Sequence, residues 1–202
     1  MITVHHLNQS RSKRVLWLLE ELNMPYELVL HQRDAKTHLA PASLKAIHPL
    51  SKAPVIVEGN ITLCESGAIT EYILDQDKQN VLRPLLNSAE YYSFLQWCHF
   101  AEGSLALPVI TKMFMKMEER QGGLPMDGYI GKEIELDLAY IESALGHSEF
   151  FAGSAFSAAD IMMTITLEMA GNIGLLAGRE NTQAYLAKMQ ARDAYIKAAM
   201  HG

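Results

Sequence analysis

With 202 residues, 49% hydrophobic and 20% charged, the chain has the make-up of an ordinary globular protein of one large or two small domains. Its net charge of −6 supplies no basic field, which argues against general nucleic-acid binding, and no apolar run approaches the length of a membrane span. The start, Met1-Ile2-Thr3-Val4, reads as a strand and not as a basic-then-apolar leader, so a cytoplasmic location is expected.

In chain order, residues 2–7 form a strand and residues 11–22 a helix. Val15, Leu16, Leu18, Leu19 and Leu22 line one face of that helix, Asn23 ends it and Pro25 prevents its continuation. Residues 26–30 give a second strand, parallel to the first because a helix connects them. A polar stretch holding His31, Arg33, Asp34 and Lys36 leads to a short helix at 43–47. Val55-Ile56-Val57, the turn Glu58-Gly59-Asn60 and Ile61-Thr62-Leu63 read as a β-hairpin, closed by a helix over 66–74.

The composition changes near residue 78. Residues 80–87, with Arg83-Pro84 and two Asn, read as a linker between an α/β domain at 1–79 and an all-helical domain at 88–202. In the latter, residues 89–107 form a helix with a kink or break at Pro108, and 111–120 continue it. Gln121-Gly122-Gly123-Leu124-Pro125 punctuates, and 126–145 form an amphipathic helix through Ile130, Ile134, Leu138, Ile141 and Leu145. Ser157-Ala158-Ala159-Asp160 is a capping box: Ser157 can take the N–H of residue 160, and Asp160 can reach back to the N–H of residue 157. Asp160 is therefore expected to be structural and not a catalytic acid.

Two cysteines, Cys64 and Cys98, form no Cys-x-x-Cys pair, which removes a dithiol motif and leaves both as packing residues. The eight histidines show no paired metal-ligand spacing, and adjacent His5 and His6 should face opposite sides of the sheet, so no metal is expected. The most informative stretch is Ser51-Lys52-Ala53-Pro54-Val55 with Cys64-Glu65-Ser66-Gly67. It offers a free backbone edge before Pro54, a carboxylate at Glu65, and helix-terminal N–H groups with the Ser66 hydroxyl. An extended peptide carrying its own amine and carboxylate suits that arrangement, and glutathione is such a peptide.

Ser10-Arg11-Ser12-Lys13-Arg14-Val15, Ala53-Pro54, Glu65-Ser66-Gly67, and Phe151-Ala152-Gly153 followed by Ser157-x-x-Asp160 together resemble the cytosolic-type glutathione S-transferases, over essentially the whole chain. His48-Pro49-Leu50-Ser51-Lys52-Ala53-Pro54 and Ala101-Glu102-Gly103-Ser104-Leu105 are most similar to a fungal and bacterial branch. The resemblance implies a thioredoxin-like N-terminal domain, an α-helical C-terminal domain, a homodimer, and a cis Pro54. It also implies glutathione as co-substrate with no further cofactor. Ala53 then pairs its backbone with the cysteinyl part, Glu65 and Ser66 hold the γ-glutamyl amine and carboxylate, and Lys52 or His38 meets the glycyl carboxylate. Glu102 approaches the glutathione amine of the partner subunit. The expected reaction is attack of the thiolate on a small hydrophobic electrophile, with peroxidase activity compatible with the same site. That electrophile is expected between the domains, near Phe100, Ser104, Met113, Phe114 and Met117.

Ser10 is the expected thiol donor, and Arg11 is expected to orient the thiolate or to meet a carboxylate of glutathione. Ser10 serves equally as a helix cap, Ser12 competes for either job, and Asn8 is a further donor. Arg11 otherwise is a solvated first-turn residue, Lys52 a surface lysine, and His38 an exposed loop histidine. Neither tyrosine nor cysteine occurs before Arg14, so the tyrosine- and cysteine-type mechanisms of the family lack their residue. The competing expectation is a non-catalytic glutathione-binding or protein-interaction module of the same fold. A thiol-disulfide reductase or dehalogenase-type lyase would need a catalytic cysteine or a specialised second site.

Overall fold

The computed structural model describes residues 1–118 and 122–201. A four-stranded sheet in the order β2-β1-β3-β4 organises the first part of the chain. β1 (Ile2–Leu7) runs parallel to β2 (Tyr26–His31), with Ile2 opposite Tyr26 and Leu7 opposite His31. The crossover between them is α1 (Ser12–Glu21), as the expectation of a parallel pair requires. Met24 N–H closes back on Leu19 C=O at 3.0 Å, Asn23 takes φ +50°, and Pro25 follows, so the helix stops where the sequence expects.

α2 (Ala42–Ile47) precedes the hairpin of β3 (Val55–Glu58) and β4 (Ile61–Cys64), which is joined by Gly59-Asn60. Gly59 has φ +56°, the sign that glycine supplies without steric cost at the first place of a two-residue hairpin turn. β1 lies inside the sheet, so Ile2 and Val4 are buried on one face and Leu7 on the other. His5 and His6 follow the same alternation, as expected. α3 (Ser66–Gln76) completes this part.

Contacts group Met1–Leu82 with the residues from Gln190 onward, and Arg83–Met189 as a second unit. The sequence reading set 88–202 together as helical. In the structure, α9 (Asp193–Ala199) packs on α1, through an edge-on contact of Trp17 with Tyr195 at 5.1 Å and a two-pronged ion pair from Arg192 to Glu21 at 2.6 and 2.8 Å.

The second unit is helical: α4 (Ala89–Phe100), α5 (Ala106–Met117), α6 (Pro125–His147), α7 (Ala158–Asn172) and α8 (Glu180–Gln190). The irregularity expected at Pro108 falls earlier, as a π-helical turn over Ala101–Leu105 between α4 and α5. Pro108 is the third residue of α5, and the carbonyl that its absent N–H would have met, that of Ser104, belongs to this wider turn. α5 reaches Met117, and the expected continuation to Arg120 and the breaker Gln121 lie outside the described residues.

Asp160 is fully buried and accepts from Phe151 N–H at 3.0 Å, Ser157 N–H at 2.9 Å, the Ser157 hydroxyl at 3.1 Å and the Tyr185 hydroxyl at 2.8 Å. The expected capping box forms between Ser157 and Asp160, with Asp160 reaching back to Ser157 N–H; the Asp160 N–H also meets the Ser157 carbonyl, and the Ser157 hydroxyl donates to the carboxylate.

Candidate functional site

The turn from β1 into α1 carries the two competing serines, and burial separates them. Ser12 is fully buried. Its hydroxyl oxygen accepts Leu7 N–H at 3.2 Å and lies 2.9 Å from His6 Nδ1 and 3.3 Å from the Leu7 carbonyl. Ser10 is half-buried, one turn-residue before the helix; its Oγ lies 2.6 Å from Ser12 Oγ and accepts Ser12 N–H at 3.2 Å. Ser10 thus combines the cap-like role with an accessible hydroxyl, whereas Ser12 is enclosed. Arg11, half-buried, occupies the N-cap position of α1.

Asn8 is occupied by loop architecture. Its side-chain oxygen accepts Arg33 N–H at 2.8 Å, and its carbonyl accepts Arg33 Nε at 3.1 Å. The same guanidinium also bonds the carbonyls of Gln9 at 3.3 Å and His38 at 3.0 Å. Arg33 therefore holds the Ser10 turn against the loop after β2, an organising role that the sequence reading missed. A loop arginine carries no local signal for three carbonyl acceptors.

Ala53-Pro54 is cis. Ala53 lies beyond the ladder that begins at Val55, and its backbone takes no hydrogen bond among the described residues. Lys52 is exposed and bonds none of the other candidates among the described residues. Glu65 sits immediately before α3 with φ +71° and ψ 116°, outside the ordinary regions for a residue with a side chain. Its carboxylate is exposed, with no hydrogen-bonding partner among the described residues.

Ser66, the first residue of α3, is buried, and its hydroxyl accepts from Arg14 Nη1 at 3.2 Å. Arg14 is itself fully buried in α1. One arginine therefore ties the Ser10-bearing start of α1 to the Glu65–Ser66 start of α3. Both helices present their N-terminal N–H groups there, each a partial positive charge suited to an anion. Gly67 leaves open space where a side chain would stand.

His38 is exposed with φ +56°, and the structure connects it to the Ser10 turn through Arg33 and its own carbonyl rather than through its ring. Glu102 belongs to the helical unit, half-buried in the π turn. Cys64 and Cys98 are both half-buried and form no disulfide with each other, so Cys64 is more accessible than the packing role expected for it. In the helical unit, α5 exposes Leu107, Phe114 and Met117. Phe114 and Met117 are thus surface residues.

Burial and the neighbouring His31 lower the basicity of His5 below the ordinary value, and burial lowers His31; His5 Nδ1 and His31 Nε2 lie 3.0 Å apart, with Ser43 Oγ 3.0 Å from His31 Nδ1. His6 is lowered chiefly by burial. No group of three or more potential metal ligands occurs among the described residues, and none of their helices is long and apolar enough to cross a membrane. A cleft of the first unit lined by Leu19, Glu20, Asn23, Met24, Pro25 and Tyr26 lies at the opposite end of α1 from Ser10.

Residues 1–75 match the family described as glutathione S-transferase, N-terminal domain. Glutathione S-transferase 3 of Schizosaccharomyces pombe is 36% identical over 178 residues, covering 81% of this chain and 72% of the relative. Glutathione S-transferase 1 of Saccharomyces cerevisiae is 32% identical over 196 residues, covering 84% and 81%. A glutathione S-transferase crystal structure from Actinobacillus pleuropneumoniae superposes with a TM-score of 0.91 at 31% identity, over 99% of this chain and 92% of that one.

Proposed function

The chain belongs to the glutathione S-transferase family, and from that premise we propose that it binds glutathione in its first unit and activates the thiol for attack on small hydrophobic electrophiles. The observation that carries this reading is the Arg14–Ser66 bond, which holds the starts of α1 and α3 together beside the open backbone of Ala53. Ala53 receives the cysteinyl backbone, and Glu65 with Ser66 takes the γ-glutamyl amine and carboxylate. The Glu65 carboxylate, exposed and without a hydrogen-bonding partner among the described residues, supports that assignment. Lys52 and His38 are assigned to the glycyl carboxylate, Arg11 to orienting the sulfur, and Glu102 to the glutathione of a partner subunit in a homodimer. The apolar side chains exposed along α5 are assigned to the electrophile.

Ser10 donates to the sulfur. A thiol with a pKa near 8.5 is only a few per cent ionised at neutral pH, and lowering it by ~2 units takes roughly 2.7 kcal/mol. A hydrogen bond to an anion supplies ~1.5–3 kcal/mol and a helix N-terminus up to about 1 kcal/mol, which together suffice. Ser12 cannot take this role while it stays enclosed by His6 and Leu7.

The test is conjugation of glutathione to an aryl halide, with an organic hydroperoxide assayed in parallel. Ser10→Ala should lower kcat/KM about 10- to 100-fold at neutral pH and raise the bound thiol's pKa by ~1–2 units, with little change in glutathione affinity. Unchanged turnover in that variant removes Ser10 from the mechanism.

A further inference from the structure

We propose that His6, acting through Ser12, is a positioning residue that sets the direction of the Ser10 hydroxyl, so that protonation of His6 and ionisation of the bound thiol favour each other. This rests on the assignment of Ser10 as thiol donor.

The three side chains form an unbroken line, with 2.9 Å from His6 Nδ1 to Ser12 Oγ and 2.6 Å from there to Ser10 Oγ. At the inner end, His6 Nε2 lies 3.0 Å from the His201 carbonyl, which can only accept. Nε2 therefore carries the hydrogen of the neutral ring, and Nδ1 is bare. Ser12 has one hydrogen to give; Ser10 Oγ at 2.6 Å and the Leu7 carbonyl at 3.3 Å could also take it, but only donation to the bare, buried Nδ1 at 2.9 Å leaves that nitrogen satisfied. The short contact between the two hydroxyls is then a bond that Ser10 donates, while Ser10 accepts Ser12 N–H at 3.2 Å.

With His6 neutral, the Ser10 hydrogen points inward and a lone pair faces out. That arrangement suits the S–H of a neutral thiol and opposes a thiolate. With His6 protonated, the line reverses: Nδ1–H donates to Ser12, the Ser12 hydrogen turns to Ser10, and Ser10 donates outward to the sulfur anion. One proton leaves the thiol and one is gained by His6, each exchanging with water or along the line, and no covalent bond between heavy atoms changes.

The groups that act on His6 make this coupling specific. Lys13 of α1 and His201, which follows α9 and Met200, act on the ring, as does His31 of β2 from the opposite face of the sheet; β3 presents uncharged Ile56, paired with Val4. No carboxylate acts on the ring among the described residues. Before a thiolate is present, burial and these cation-forming neighbours favour the neutral ring, against the pull of the His201 carbonyl; the outward donation from Ser10 belongs to the thiolate complex, in which His6 is protonated. A thiolate at Ser10 would be the first anion on the line. By reciprocity, whatever factor His6 protonation adds to thiolate stability, the thiolate returns to His6.

The experiment is a nitrogen-15 NMR titration of the histidines in the intact protein, saturated with glutathione or with S-methylglutathione, which has no ionisable thiol. The His6 signals are assigned by their loss in His6→Gln. The expected result is a His6 midpoint about one pH unit higher with glutathione, a coupling of about tenfold. Ser12→Ala should abolish the difference, and a difference that persists there overturns the route through Ser12. Equal midpoints in the wild type, with thiolate absorbance visible in the glutathione sample, overturn the proposal and leave the transferase reading standing. Absence of thiolate at every pH overturns both.

Discussion

Replacing Asp160 by alanine removes an acceptor that four donors share inside the helical unit. The Phe151 and Ser157 amides and the Tyr185 hydroxyl lose their partner in a buried place, and the Ser157 hydroxyl loses an anion. Each orphaned buried donor costs ~1–3 kcal/mol, which sums to roughly 3–9 kcal/mol before relief. Two effects reduce that sum. The carboxyl is pushed up from its usual range by burial, so deleting it also removes a desolvation cost, and water can enter the space left behind. A net loss of about 3–5 kcal/mol remains, in line with breaking a buried charged network, and for a chain of this size a Tm fall of roughly 10 °C. Asp160→Asn should lose about half as much, because its amide group opposes the Ser157 donors while its oxygen still accepts. Urea unfolding followed by far-UV circular dichroism reads the difference. A loss below about 1 kcal/mol in Asp160→Ala at unchanged m-value would refute the reasoning.

Glu65→Ala should weaken glutathione binding by roughly tenfold or more in calorimetry while leaving the urea midpoint nearly unchanged, since its carboxylate holds no partner among the described residues; full affinity would place the γ-glutamyl group elsewhere. His5, His6 and His31 are all held below their ordinary value, so the unfolded chain binds more protons than the folded one at pH below about 6.5. Their contribution to stability is complete above that pH and is lost on acidification. The urea midpoint should therefore be higher at about pH 7.5 than at about pH 5.5, and a flat profile would contradict the burial of these rings. Arg192→Ala breaks the paired bonds to Glu21 that help hold α9 on α1 and should cost ~1–2 kcal/mol, with hydrogen exchange rising in α9; unchanged exchange there would deny Arg192 that role.

The strand and helix order of the first 76 residues was legible because each stop has a local cause: Asn23 before Pro25, glycine in the hairpin turn, and Pro54 before β3. The return of α9 to α1 was not. Trp17, Glu21, Arg192 and Tyr195 carry it, and only tertiary contact joins residues so far apart in sequence. The choice between Ser10 and Ser12 was equally hidden, since two small hydroxyls two residues apart have the same propensities and differ only in which one the fold encloses. The expectation for Glu65 and Ser66 came from their place after the hairpin, and the structure puts them at the start of α3. Arg14 entered only as part of the stretch from Ser10 to Val15, and its bond to Ser66 needs the fold to be seen. The π turn escaped because Pro108 marks only a missing donor, and the backbone adjusts upstream of it.

Glutathione activation is tested most directly by titrating the protein with glutathione calorimetrically while following thiolate absorbance in the same samples. The account predicts saturable binding with thiolate present near neutral pH. Binding without thiolate, or no binding at millimolar glutathione, would contradict it and leave a fold that serves recognition rather than turnover.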